Sequence, residues 1–253
     1  MSIFNNIQPT MDAQWGIATQ QLGDGNQAFG RAQGYAPAAT LNTITVVAAT
    51  TYTPQASGAQ RSIKSTSASD NASGTGAQTV QINYLDSNMN LNSEVVTLNG
   101  TTAVNTVGTD IRFIESMIVM TCGSNLANVG IIELMTATAG GGSIWCSIAA
   151  GDNQTFLGHH YVPAGVTCYI GKHTGAATLA AGRTYMVAYG DPRSNNPIQQ
   201  IGDIIIHLAG GTEDHEYSCP MAIVGPNWIR LRENPTASAT NNEAYASFDW
   251  IQD

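Results

Sequence analysis

The chain has 253 residues, a formal net charge of −9 and only 11% charged side chains, against about 25% in an ordinary domain. Its hydrophobic fraction is 43%, so the missing charge has been replaced by neutral polar and small residues, as suits a surface packed into an assembly. Lys64 and Lys172 are the only lysines and the arginines are scattered, which excludes the clustered cations that a nucleic-acid surface needs.

Residues 1–40 read as an N-terminal arm. Gly16, Gly23, Gly25, Gly30 and Gly34 interrupt every periodic run, leaving room for short helical turns over 11–21 and no long helix. Ile3, Phe4, Ile7, Trp15, Leu22, Phe29 and Tyr35 are spread through it. A disordered tail carries fewer aromatics, so these seven are the expected partner-binding residues of an arm that orders against its own or a neighbouring surface. The first residues lack the basic and apolar regions of a signal peptide, and no apolar run is long enough to span a membrane.

Residues 41–53 form a β-branched run and an expected strand. A short strand is expected over 61–66. Residues 67–76 read as an exposed loop with nothing to bury. The clearest element follows. Val80, Ile82 and Tyr84 alternate with Gln81 and Asn83, giving a strand with one wet and one dry face. Asp86-Ser87-Asn88-Met89-Asn90 is a turn, in which Asn tolerates a positive φ, and residues 91–98 return antiparallel. Further strands are expected over 101–109, 111–121, 128–136 and 143–148. Turn signals every eight to twelve residues then indicate a sandwich over 41–150.

A second sandwich, jelly-roll-like, is expected over 151–253. Its strands are 154–161, 167–171, 184–189, 201–208, 220–224, 228–232 and 246–251, with residues 213–218 leading into 220–224 and turns at Pro163-Ala164-Gly165 and Gly225-Pro226-Asn227. The fold class is therefore all-β: two sandwich domains behind an extended arm.

Candidate chemistry is sparse. His159 and His160 are adjacent, so on a strand they point to opposite faces and make a poor joint metal site. Glu213-Asp214-His215-Glu216 follows two glycines and reads as a solvated acidic loop; it lacks calcium-loop spacing. Arg230 and Arg232 share a strand face and read as an exposed or salt-bridged pair. Cys122, Cys146, Cys168 and Cys219 have no CxxC spacing, and buried free thiols are the default. There is no GxSxG and no phosphate loop. No catalytic, cofactor-binding or metal residues are assigned, and no enzyme activity is expected.

Three stretches carry a resemblance. They are residues 77–104 with the LDSNMN turn and SEVVTLNG strand, the YVPAGVT segment from Tyr161 with Tyr169 and Ile170, and the ASFDWI run at the end. On these the chain resembles virion structural proteins of tailed bacteriophages. The resemblance implies a β-rich, non-enzymatic particle component, made in the host cytoplasm and located in the virion. A capsid decoration or cement protein fits best. Its partners would be the major capsid protein, other virion proteins and copies of itself, with a trimer expected. A neck, collar or tail appendage is the alternative. A glycan-degrading virion enzyme using Asp214 and Glu216 is the third reading. Neither a cofactor, nucleic acid nor a membrane enters any of them.

Overall fold

In the computed structural model the described residues are 28–36, 45–46, 52–178, 182–193, 199–200, 205–207, 210–235 and 243–252. All regular structure among them is strand. The strands are β1 (Ala28–Ala36), β2 (Thr45–Val46), β3 (Ser62–Ser65), β4 (Ala77–Leu85), β5 (Leu91–Thr97), β6 (Val104–Asn105), β7 (Phe113–Cys122), β8 (Ile132–Met135) and β9 (Ile144–Ile148). They continue with β10 (His159–Val162), β11 (Thr167–Ala177), β12 (Gly182–Ala188), β13 (Gln199–Gln200), β14 (Ile205–His207), β15 (Gly211–Val224), β16 (Asn227–Pro235) and β17 (Ala244–Gln252).

Two sheets make a jelly roll. One has the order β1-β17-β11-β15; the other runs β10-β16-β12-β13, with β2 also on β16 and β14 also on β12. β2 and β10 line the same edge of β16 in the same direction, Val46 opposite Arg232 and His159 opposite Arg230. They act as one strand interrupted between Val46 and Gly158, whose carbonyl accepts the Leu231 N–H at 2.8 Å. Counting them together, the first strand of the wrap pairs the last, the second the next to last, and so inward. That nesting of antiparallel pairs is a jelly roll. Ile170, Met186, Ile229, Leu231 and Phe248 fill the space between its sheets.

Residues 47–157 leave that interrupted strand. Their described part forms a second sandwich, of the sheets β6-β3-β8-β9 and β5-β4-β7. Its core joins Ile63, Ile132 and Leu134 of one sheet to Val80, Ile82 and Met117 of the other. The β4–β5 hairpin has the expected register, with Val80 opposite Val96. Its turn is built on Asp86, whose Oδ1 accepts the N–H groups of Asn88 (2.8 Å) and Asn90 (2.9 Å). The positive φ falls not on an Asn but on Met89, at 66°, because its side chain is anchored in the core.

β1 lies in the stretch read as the arm. Gly30, Ala32, Gly34 and Ala36 alternate along it toward the interior, and it pairs with β17 along its whole length, from Ala28 opposite Gln252 to Ala36 opposite Ala244. The glycines permit close approach: a Cβ on Gly30 would lie 2.7 Å from Trp250 Cζ2. Of the 41–53 run, Thr45 and Val46 are strand; residues 41–44 and 47–51 lie outside the described residues, as do the expected helical turns over 11–21. The 67–76 loop is not empty. Asp70 within it is fully buried.

Candidate functional site

The two sandwiches meet on the outer face of the β16 sheet. Trp228 and Arg230 of β16, His159 and Tyr161 of β10, and Tyr189 just after β12 form this face, alternating with the inward-facing Ile229 and Leu231. Tyr52, just before the second sandwich begins, lies on it. Its ring stacks on Trp145 at 5.7 Å and meets Phe113, His159 and Trp228 at 5.4, 4.9 and 6.2 Å. The Tyr52 hydroxyl accepts the Ile114 N–H at 2.7 Å. Burial raises the Tyr52 phenol well above its ordinary range. One aromatic cluster thereby joins the cores.

Arg230 completes the junction, and the expectation of an exposed or salt-bridged arginine is corrected here. It is buried, its guanidinium lying 4.3 Å from the Trp228 ring and 5.5 Å from Tyr189. Its Nη2 donates to the Tyr52 carbonyl at 3.1 Å. Burial pulls its pKa down to about 10, still charged at neutral pH. Spacing along the strand indicated the shared face but not what covers it. Arg61 is buried in the same manner, donating to the carbonyls of Ile111, Ser57 and Thr136 and stacking over Trp145.

The adjacent histidines do point to opposite faces. His159 Nε2 donates to the Ile114 carbonyl at 2.9 Å on the junction side. His160 turns between the jelly-roll sheets, with Nδ1 2.7 Å from Glu115, Nε2 3.0 Å from Gln252 and its ring stacked 4.1 Å from Trp250. Burial pushes the His159 pKa down to about 4, aided by Arg230 and His160 and opposed by Glu115 and the Ile114 carbonyl. The unfolded imidazole titrates near 6.5, so below that pH the unfolded chain takes up a proton that the folded one refuses. Full stability is present above about pH 6.5 and is lost as pH falls toward 4. The expected loss is about 3 kcal/mol, because each tenfold difference in proton affinity between the folded and unfolded chain is worth about 1.4 kcal/mol. Urea unfolding at pH 7 and pH 4.5 should show about 2 kcal/mol of it, the rest falling below pH 4.5; a His159→Phe variant should lose much of this acid sensitivity, and an unchanged slope would contradict the assignment.

Glu213, Asp214, His215 and Glu216 are not a loop; the expectation is corrected. The turn is taken at Gly210, with φ of 69°, and the four residues are the start of β15. Acidic composition masked a period of two. Asp214 accepts from Lys172 Nζ at 2.9 Å and Thr174 Oγ1 at 2.7 Å, and both partners hold its pKa below the usual carboxylate range. Glu216 stands opposite Lys172, Lys172 opposite Asp249, and Asp249 opposite Arg31, a row of alternating charge across all four strands. Among the described residues no group of three or more His, Cys, Asp or Glu side chains could hold a metal ion. Cys122, Cys146 and Cys168 are free; burial raises the Cys146 thiol and takes Cys168 up to about 12. The Cys219 side chain lies outside the described residues.

Of the seven arm residues, Ile3, Phe4, Ile7, Trp15 and Leu22 lie outside the described residues. Phe29 and Tyr35 are in β1, opposite Ile251 and Tyr245. Tyr35 and Tyr245 line a crevice of about 340 Å³ at the end of the sheet, with Ala176, Thr178, Gly210 and Glu243.

The outer face of β5-β4-β7 is of a different kind. Thr97, Thr79 and Thr121 form one row across it, Val95, Gln81 and Ile118 the next, and Ser93, Asn83 and Ser116 a third. None is charged. Thr79 and Thr121 share a hydroxyl hydrogen bond of 2.7 Å; Gln81 Nε2 donates to Asn83 Oδ1 at 2.7 Å, and Asn83 Nδ2 to Ser116 Oγ at 2.9 Å. Val95 and Ile118 are exposed at 57% and 38%.

No family model and no curated protein matches the sequence. Solved structures that match include that of the infectious bursal disease virus Gx strain, at 9% identity over 89% of this chain and 71% of that one, with a TM-score of 0.28. Another is the infectious bursal disease virus VP2 subviral particle, at 10% identity over 89% and 71%, TM-score 0.26. A third is the STIV MCP, at 9% identity over 88% and 96%, TM-score 0.23. At these values the likeness carries no argument, and strand order alone carries the fold.

Proposed function

We infer that this chain is a non-enzymatic structural protein of a virion, acting as a decoration or cement protein on the major capsid shell. The observation that carries the reading is the junction. Tyr52, His159, Trp228 and Arg230, the residues that a functional cleft would expose, are packed as the joint between two sandwiches. Low charge and an uncharged sheet face support contact with other protein. The acids of the enzyme reading are tied up or exposed on a flat strand: Asp214 is paired with Lys172 and Glu216 stands opposite it.

Particle imaging with counting of copies tests the proposal. Hundreds of copies on the shell are expected. Six or twelve copies beside the portal would instead support the neck or tail reading, and absence from purified particles would overturn both.

A further inference from the structure

We propose that the outer face of the β5-β4-β7 sheet binds a second copy of this chain, face to face about a two-fold axis. This deepens the assembly reading above by naming one of its contact surfaces.

Electrostatics chooses the occupant. The chain carries a formal charge of −9, so two copies repel unless they meet where charge is absent. The three rows of this face hold hydroxyl, carboxamide and aliphatic groups alone. Hydroxyls and carboxamides both donate and accept, so the face is complementary to itself under a two-fold rotation. Within these rows a cationic or anionic partner finds no opposite charge; Arg31 and Glu115 stand only at the margin, in the crevice beside Ser116 and Ile118. Contrast the β1-β17-β11-β15 face, where Arg31 pairs with Asp249 and Lys172 with Asp214.

Order on the face favours docking. The Thr79–Thr121 and Gln81–Asn83–Ser116 hydrogen bonds fix the polar side chains on strand backbone before any partner arrives, which lowers the entropy lost on contact. Val95 and Ile118 flank Gln81 and supply the apolar area at the centre.

Sedimentation of the full chain over a concentration series tests this. Self-association is expected, and it should strengthen from 0.05 to 0.5 M NaCl, about the range over which salt screens net repulsion while leaving a neutral contact intact. The double variant Val95→Lys/Ile118→Lys should associate about a hundredfold more weakly, because four ammonium groups would face each other. Val107→Lys, at a side chain 85% exposed outside this sheet, should associate much as the parent chain does. Circular dichroism and urea unfolding establish that each variant folds. A parent chain that stays monomeric, a double variant that associates like the parent, or association that weakens with salt overturns the proposal. So does a glycan array on which the parent binds and the double variant does not while neither associates. Copies counted in particles test the assembly reading separately, so each idea can fail alone.

Discussion

Replacing Tyr52 with alanine lowers the unfolding free energy by about 5 kcal/mol. Truncating a buried aromatic costs about 3–5 kcal/mol through lost transfer and the cavity left behind. The loss here has a second part, since the Ile114 N–H is left without its phenolic acceptor, worth about 1–3 kcal/mol. Four aromatic rings lose their common neighbour at once. Against a typical total of about 5–15 kcal/mol, this leaves a chain at the edge of folding. Tyr52→Phe separates the parts: it keeps the ring and should cost only about 1–2 kcal/mol. Urea unfolding followed by tryptophan fluorescence reads both, because Trp145 and Trp228 flank the site. Similar losses for the two variants would mean that the hydroxyl, and not the packing, dominates.

Asp70→Ala is expected to cost about 4 kcal/mol. The buried carboxylate accepts from Ser65 Oγ at 2.6 Å and from the N–H groups of Ala77, Val129 and Gly130 at 2.8, 2.9 and 2.8 Å. Removing it orphans three backbone donors, at about 1–3 kcal/mol each, and the sum is reduced by what it costs to keep a carboxylate out of water. Ser65→Ala removes one neighbour and should cost about 1 kcal/mol. Hydrogen exchange gives the local signature: the Ala77, Val129 and Gly130 amides should exchange faster in Asp70→Ala while the β10–β16 amides keep their protection. Uniform loss of protection would show that the loop is not held by Asp70 alone.

What could be read from the sequence was local. The β4–β5 hairpin announced itself because its period, its turn and its partner all lie within residues 77–97. β9 was legible for the same reason. The wrap was not, because its defining pairs are distant: β1 finds β17 from the other end of the chain, and no local pattern encodes that register. β1 was further disguised, since the glycines that look like breakers are the small inner residues of a strand under Trp250. The start of β15 was hidden by acidic composition. For the junction, spacing showed that Arg230 and Arg232 share a face and that the two histidines do not. Nothing nearby signalled that Tyr52 would cover that face. Asp70 looked like any loop aspartate; its flanking Ser65 and Gly76 are too common to mark a buried carboxylate.

The interrupted strand has a consequence for how this chain can be altered. Val46 and His159 face β16 residues only two apart, Arg232 and Arg230. The insertion between Val46 and Gly158 therefore has both its ends at a single seam. A scaffold entered this way tolerates cargo: a different module whose ends sit as close together can be spliced at that seam without asking the wrap to change its pairing.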